Sequence, residues 1–132
     1  MSLYFDTSAL AKLVVAEAES TTLREWMGAR PQAPRITNSV GVVELQRLAA
    51  RAGQSAQSAA VRLLARIDQL ALTPAALSLA AALPPPEVRT LDALHVASAS
   101  ELIDLEAIVT YDARMLAAAA GLGLPVASPG LA

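Results

Sequence analysis

The sequence predicts an α/β domain of three layers, α/β/α, built around a short and mostly parallel central sheet. Two observations point there. Short apolar runs alternate with helical patterns along the whole chain, as in a parallel sheet covered on both faces. The clearest of these runs, Ala-Ile-Val-Thr at 107–110, is apolar and β-branched and turns polar at its end. A third observation sets the scale. With 132 residues, 55% of them hydrophobic and 17% charged, the chain can bury a core as one domain over 1–132.

Each element has its own signal. A strand covers 3–5, and a helix is expected over 8–18 with Leu10, Leu13 and Val14 on one stripe. A second helix spans 21–29 with Leu23, Trp26 and Met27 apolar, and Pro31 and Pro34 mark the loop behind it. Residues 35–37 form a short strand. Asn38 or Ser39 then caps a helix that carries Val43, Glu44, Leu45 and Leu48 and stops near Gly53. Ser55 is expected to cap the next helix, whose stripe is Ala59, Leu63, Leu64 and Ile67. A strand at 70–72 ends at Thr73-Pro74, where proline in the first helical position starts a helix over 75–83. Past the triple proline, Thr90 is the expected cap of a helix running to about 102. The strand at 107–110 follows, then a helix opened by Asp112 and closed by Gly121, and a last edge strand at 125–127.

Composition removes several classes of function. The chain has no cysteine, hence no disulfides, thiolate metal sites or cysteine nucleophiles, which fits a reducing cytosol and a cytoplasmic location. The N-terminus has no basic region and no cleavage pattern, so no secretory leader is expected. A mean hydropathy of +0.46 raises the question of a membrane span. The charge-free stretch 69–86 approaches the ~18–20 residues a span needs, but Pro74, Pro84, Pro85 and Pro86 break it. The uncharged tail is divided by Gly121, Gly123, Pro125 and Pro129. No span is expected. The surplus apolarity points instead to a buried partner surface, a dimer or a binding groove.

A net charge of −2 argues against a generic nucleic-acid binder. The distribution says more: residues 24–66 hold seven arginines against two glutamates. Arginine suits forked contacts with phosphate or carboxylate, although a solvated helix face would have the same composition.

Four carboxylates carry the chemistry. Asp6 ends the first strand and Asp112 follows the late one. If those strands are neighbours, both acids reach the carboxyl edge of the sheet, where open α/β folds bind ligands. Asp92 lies in the first turn of its helix, where the helix dipole by itself favours an acid. Glu44 sits mid-helix among apolar neighbours, so it must snorkel, pair or bind something. Four converging carboxylates would repel one another unless a cation compensates them, and an all-oxygen set without a Cys or His cluster suits Mg²⁺ or Mn²⁺.

The motifs YFDTSALAKL, VVEL, RTLDALHVASA and IVTYDARML, in this order, resemble the PIN domain family, most closely its VapC-type ribonuclease toxins of toxin–antitoxin pairs. The resemblance runs from residue 3 to about 125. It implies a PIN-like fold and an Mg²⁺ (or Mn²⁺) site for RNA phosphodiester hydrolysis formed by Asp6, Glu44, Asp92 and Asp112. Ser8 and Thr110 match hydroxyls that orient the first and last acids. The resemblance further implies a cognate antitoxin laid in an apolar groove and a homodimer, and Arg47 and Arg51 are expected to contact RNA. His95, three residues after Asp92, is read as a packed, hydrogen-bonded side chain, and Lys12 as a surface or groove residue. Two other readings stand beside it: a phosphohydrolase with Asp6 as nucleophile, and a non-catalytic PIN-like module that binds RNA or protein. The first lacks the second aspartate it would need two residues on, where Ser8 stands. The second gives no reason for a concentrated set of acids.

Overall fold

The computed structural model describes residues 1–131. Five strands form one parallel sheet: β1 (Ser2–Phe5), β2 (Arg35–Asn38), β3 (Asp68–Leu70), β4 (Leu105–Val109) and β5 (Val126–Ala127). Their order across the sheet is β3-β2-β1-β4-β5. The chain winds outward from β1 on one side, then returns to start again at β4. β1 and β4 are therefore neighbours at the point where the winding reverses, and the crevice beyond their carboxyl ends is where such folds bind ligands.

Side chains alternate along the strands and divide the core in two. Leu3, Phe5 and Val109 face one layer, made by α1 (Thr7–Ala11), α2 (Ser20–Gly28), α3 (Ser39–Ala52) and α4 (Gln54–Leu64). Tyr4, Ile36 and Ile108 face the other, against α6 (Thr90–Ser100) and α7 (Ala113–Gly121), with Leu83 behind α5 (Pro74–Ala82). The three-layer expectation holds, and the sheet is parallel throughout.

Several boundaries differ from the sequence expectation. The first helix stops at Ala11, not near residue 18: Lys12, Leu13 and Val14 bond three residues back, the tight turn that ends a helix. The chain then folds over so that Glu17 and Glu19 meet Lys12, whose Nζ lies 3.6 and 2.9 Å from them and 4.6 Å above the Tyr111 ring. Lys12 is thus a buried structural cation instead of a surface or groove residue. β3 lies two residues earlier than expected, because β2 ends at Asn38 and its last partner is Leu70. Asn38 is the cap of α3, its side chain accepting from the Gly41 N–H. α3 and α4 meet at Gly53, whose φ of 114° only glycine adopts freely, and this leaves Ser55 inside α4 with no capping role. α6 is entered from Arg89, so Thr90 is its first residue and Asp92 its third. Pro74 does open α5, behind a Thr73 cap. No helix among the described residues is long and apolar enough to cross a membrane.

Gly41 lets α3 approach the sheet. A Cβ at this position would lie 2.2 Å from Thr37 Oγ1 and 3.2 Å from His95 Cε1. The Thr37 hydroxyl is buried and donates to the Phe5 carbonyl at 2.8 Å, so it cannot yield freely. Gly41→Ala is expected to cost about 1–3 kcal/mol through overpacking, read by chemical denaturation; unchanged stability would show that the contact is soft.

Candidate active site at the β1–β4 switch point

Asp6 is the first residue beyond β1 and the cap of α1, and it is buried. Its Oδ1 accepts from Ser8 Oγ (2.7 Å) and the Ala9 N–H (3.0 Å), and its Oδ2 from Thr110 Oγ1 (2.5 Å). Burial pushes the Asp6 carboxyl up from its ordinary pKa, against the pull of these donors. The same hydroxyls tie the strand ends together: the Tyr111 N–H donates to Ser8 Oγ at 2.9 Å and the Asp112 N–H to Thr110 Oγ1 at 3.1 Å. Asp112 caps α7 through Oδ1 alone, which accepts from the Arg114 and Met115 N–H groups.

Glu44 reaches in from α3. Its Oε1 accepts from Thr7 Oγ1 (2.5 Å) and His95 Nε2 (2.9 Å). Burial works to raise its pKa, but hydrogen bonds from His95 and Thr7 and the attraction of His95 outweigh that and hold Glu44 below the usual range. Asp92 comes from the first turn of α6. Its Oδ2 is the one buried side-chain oxygen or nitrogen among the described residues without a hydrogen-bond partner. Burial first, then the charges of Asp112 and Asp6 against the relief of Arg89, push the Asp92 carboxyl up.

The fold therefore brings Asp6, Ser8, Thr110 and Asp112 into one hydrogen-bonded group. Asp92 stands within electrostatic reach of Asp6 and Asp112, while Glu44 is bound to Thr7 and His95. As the side chains lie, no three of these acids among the described residues are close enough to enclose an ion. The hydroxyls, the imidazole and the α7 backbone hold three of them back. The donor set nevertheless fits a hard divalent cation: every candidate ligand is an oxygen, and a buried carboxylate oxygen repelled by neighbouring acids is what a cation would relieve.

Two residues of this site escaped the sequence reading. Thr7, between Asp6 and Ser8, was passed over, although a hydroxyl beside an acid at a strand end is itself a signal. Tyr4 was read only as part of an apolar run. Its buried hydroxyl needs a partner and finds His95 Nδ1 at 2.8 Å.

The seven arginines of 24–66 separate in space. Arg30 pairs with Glu106 and lies over the Trp26 ring. Arg47 and Arg51, with Thr7, Glu44, Val43 and Leu91, line a groove of about 560 Å³ beside α3. Arg24, Arg35, Arg62 and Arg66 surround a second groove of about 540 Å³, which Met27 and Leu63 also line. None of these last four is in an ion pair among the described residues.

A parallel, doubly wound sheet with acids at the carboxyl edge of its switch point defines a class of α/β domain that binds ligands in that crevice. The PIN domain family model matches residues 3–121, and the chain belongs to the PIN domain family. Ribonuclease VapC47 of Mycobacterium tuberculosis is 42% identical over 132 residues, covering 97% of each chain. Ribonuclease VapC46 of the same species is 42% identical over 129 residues, covering 97% of this chain and 98% of its own. Among solved structures, the M. tuberculosis toxin VapC20, which cleaves the sarcin-ricin loop, superposes with a TM-score of 0.71 at 23% identity, over 89% of this chain and 95% of that one. The DNA-bound VapBC2 of Rickettsia felis gives 0.75 at 12% identity, over 96% and 98%. At those identities the structures speak for the fold.

Proposed function

We propose that this protein is a metal-dependent endoribonuclease, the toxin of a toxin–antitoxin pair, acting on RNA phosphodiesters at Asp6, Glu44, Asp92 and Asp112. The observation that carries the site is the unpartnered, buried oxygen of Asp92, whose carboxyl is pushed up by burial and then by the charges of Asp112 and Asp6. The near-full-length identity to VapC ribonucleases supports the reaction. PIN-domain ribonucleases are in general metal-dependent, and the oxygen-only donors favour Mg²⁺, with Mn²⁺ as a substitute. Bound there, the ion supplies electrophilic stabilisation of the phosphoryl oxygens and a more acidic water.

The chain's own residues do the rest. Ser8 and Thr110 fix the plane of the Asp6 carboxylate, and Thr7 and His95 keep Glu44 charged. Asp112 is anchored to the first turn of α7. Arg47 and Arg51 neutralise phosphates along the α3 groove. Alanine at either is expected to weaken RNA binding and to reduce the salt slope by about 0.7 per lost single-strand phosphate contact; an unchanged slope would remove that role.

The antitoxin partner belongs to the second groove. Its apolar lining and four guanidinium groups, none in an ion pair among the described residues and two of them (Arg24 and Arg35) bonded to the Leu13 and Met27 carbonyls, suit a segment with apolar anchors and acidic flanks. A homodimer through the helical layer would cover exposed apolar groups such as Val61, 71% exposed on α4. Light scattering at micromolar concentration should return twice the chain mass, and a clean monomer would sink this part.

The reaction is tested by incubating total bacterial RNA with purified, antitoxin-free protein in Mg²⁺, in Mn²⁺ and in EDTA. Discrete fragments that require metal are expected. No cleavage by folded protein under any condition would favour the non-catalytic binding module.

A further inference from the structure

We infer that His95 is a positioning residue whose ring, set by Tyr4, decides which oxygen of Glu44 is held inside the fold and which is left to face the metal and RNA. This rests on the reading of Glu44 as a metal-site acid.

The geometry forms a chain from the sheet to the site. The Tyr4 ring is buried, and its hydroxyl lies 2.8 Å from His95 Nδ1, with Thr37, Ser98 and the Asn38 backbone also around it. Glu44 Oε1 is a carboxylate oxygen and can only accept, so Nε2 carries a proton and Nδ1 is left to meet the Tyr4 hydroxyl. Nε2–H then points at Glu44 Oε1, 2.9 Å away, with Thr7 Oγ1 at 3.3 Å. Thr7 donates to the same oxygen. Two donors thus converge on Oε1, and among the described residues none is directed at Oε2.

The ring cannot slide out of this position. His95 is 1% exposed, meets the Tyr4 ring edge-on with centroids 5.9 Å apart, and has the Gly41 backbone against its Cε1 side. Gly41 is therefore part of the same device: the missing Cβ is what lets α3 come close enough for Glu44 to meet the imidazole. An imidazole with no route to solvent is badly placed to exchange protons with substrate and well placed to aim a carboxylate.

The test is Mn²⁺ binding to the full-length protein, followed by calorimetry and by the electron paramagnetic resonance of the free ion, with no RNA present. His95→Leu is expected to weaken Mn²⁺ binding by about 10–100-fold. His95→Gln, whose amide can still donate to Oε1, should restore it to within about 3-fold of wild type, half a decade or 0.7 kcal/mol. In a Glu44→Ala background the His95→Leu substitution should have no further effect, because the two residues act as one. If His95→Leu does not fold, Tyr4→Phe removes only the hydroxyl that meets Nδ1. It should weaken binding several-fold.

Wild-type Mn²⁺ affinity in folded His95→Leu, or an undiminished effect of that change without Glu44, would overturn the inference while leaving the metal site standing. A wild-type protein that binds no Mn²⁺ would overturn the metal reading itself, and this inference with it.

Discussion

Replacing Asp92 with asparagine is expected to lower metal-dependent RNA cleavage by on the order of 10²–10³-fold, the usual effect of deleting one preorganised electrostatic group from an active site. The fold should survive. Asp92 holds up no backbone through its side chain, and its Oδ2 has no partner to lose. Stability at neutral pH should even rise slightly, since an amide at this position ends the repulsion from Asp112 and Asp6. Denaturation curves and cleavage assays on the same preparation give both readings. Retained activity in the folded variant would show that the site's chemistry lies elsewhere.

The second large effect is on stability. Asp6 is pushed up by burial, and Asp92 by burial together with the charges of Asp112 and Asp6. The folded protein therefore holds these protons more tightly than the unfolded chain does. Their contribution is fully present below the ordinary aspartate pKa of about 4 and is lost as pH rises through the raised folded values. Glu44, held below the usual range, acts in the opposite sense: its contribution is present above the ordinary glutamate value and lost as pH falls through the folded one. Outside the site, a hydrogen bond from Lys12 holds Glu19 below the usual range and one from Ser2 does the same for Asp104, and both act in the sense of Glu44, so the effect of Mg²⁺ is what isolates the site. Mg²⁺ at 100 times its dissociation constant should return about 2.7 kcal/mol, and only where the acids are ionised. Melting curves in Mg²⁺ and in EDTA, at about pH 4 and about pH 7.5, decide it. An equal Mg²⁺ effect at both pH values would contradict a carboxylate site.

Much of this was legible in the sequence because it is written in short-range chemistry. Proline in the first turn of α5, asparagine before α3 and aspartate before α7 announce helix starts, and all three stand where expected. The apolar runs gave the strands, and their alternation with helices gave the parallel sheet. What could not be read was whatever depends on partners distant along the chain. The early end of α1 comes from Lys12 finding Glu17 and Glu19 and settling over Tyr111, a residue 99 positions away. The place of β3 follows from where β2 stops. The division of the arginines between two grooves appears only once α3 and α4 have packed. Of the acids, sequence suggested the set, and topology supplied the adjacency of β1 and β4 that brings Asp6 and Asp112 together.

The two-sided core has a further consequence. Glu44 belongs to the layer of α3, Asp92 and Asp112 to the layer of α6 and α7, and Asp6 to the sheet between them. The acids thus form a seam and not a pocket within one body. Any fluctuation that loosens either layer from the sheet disperses them long before the chain unravels. Activity should fade ahead of global melting, and a ligand that wedges one layer away could silence the molecule without touching a single acid.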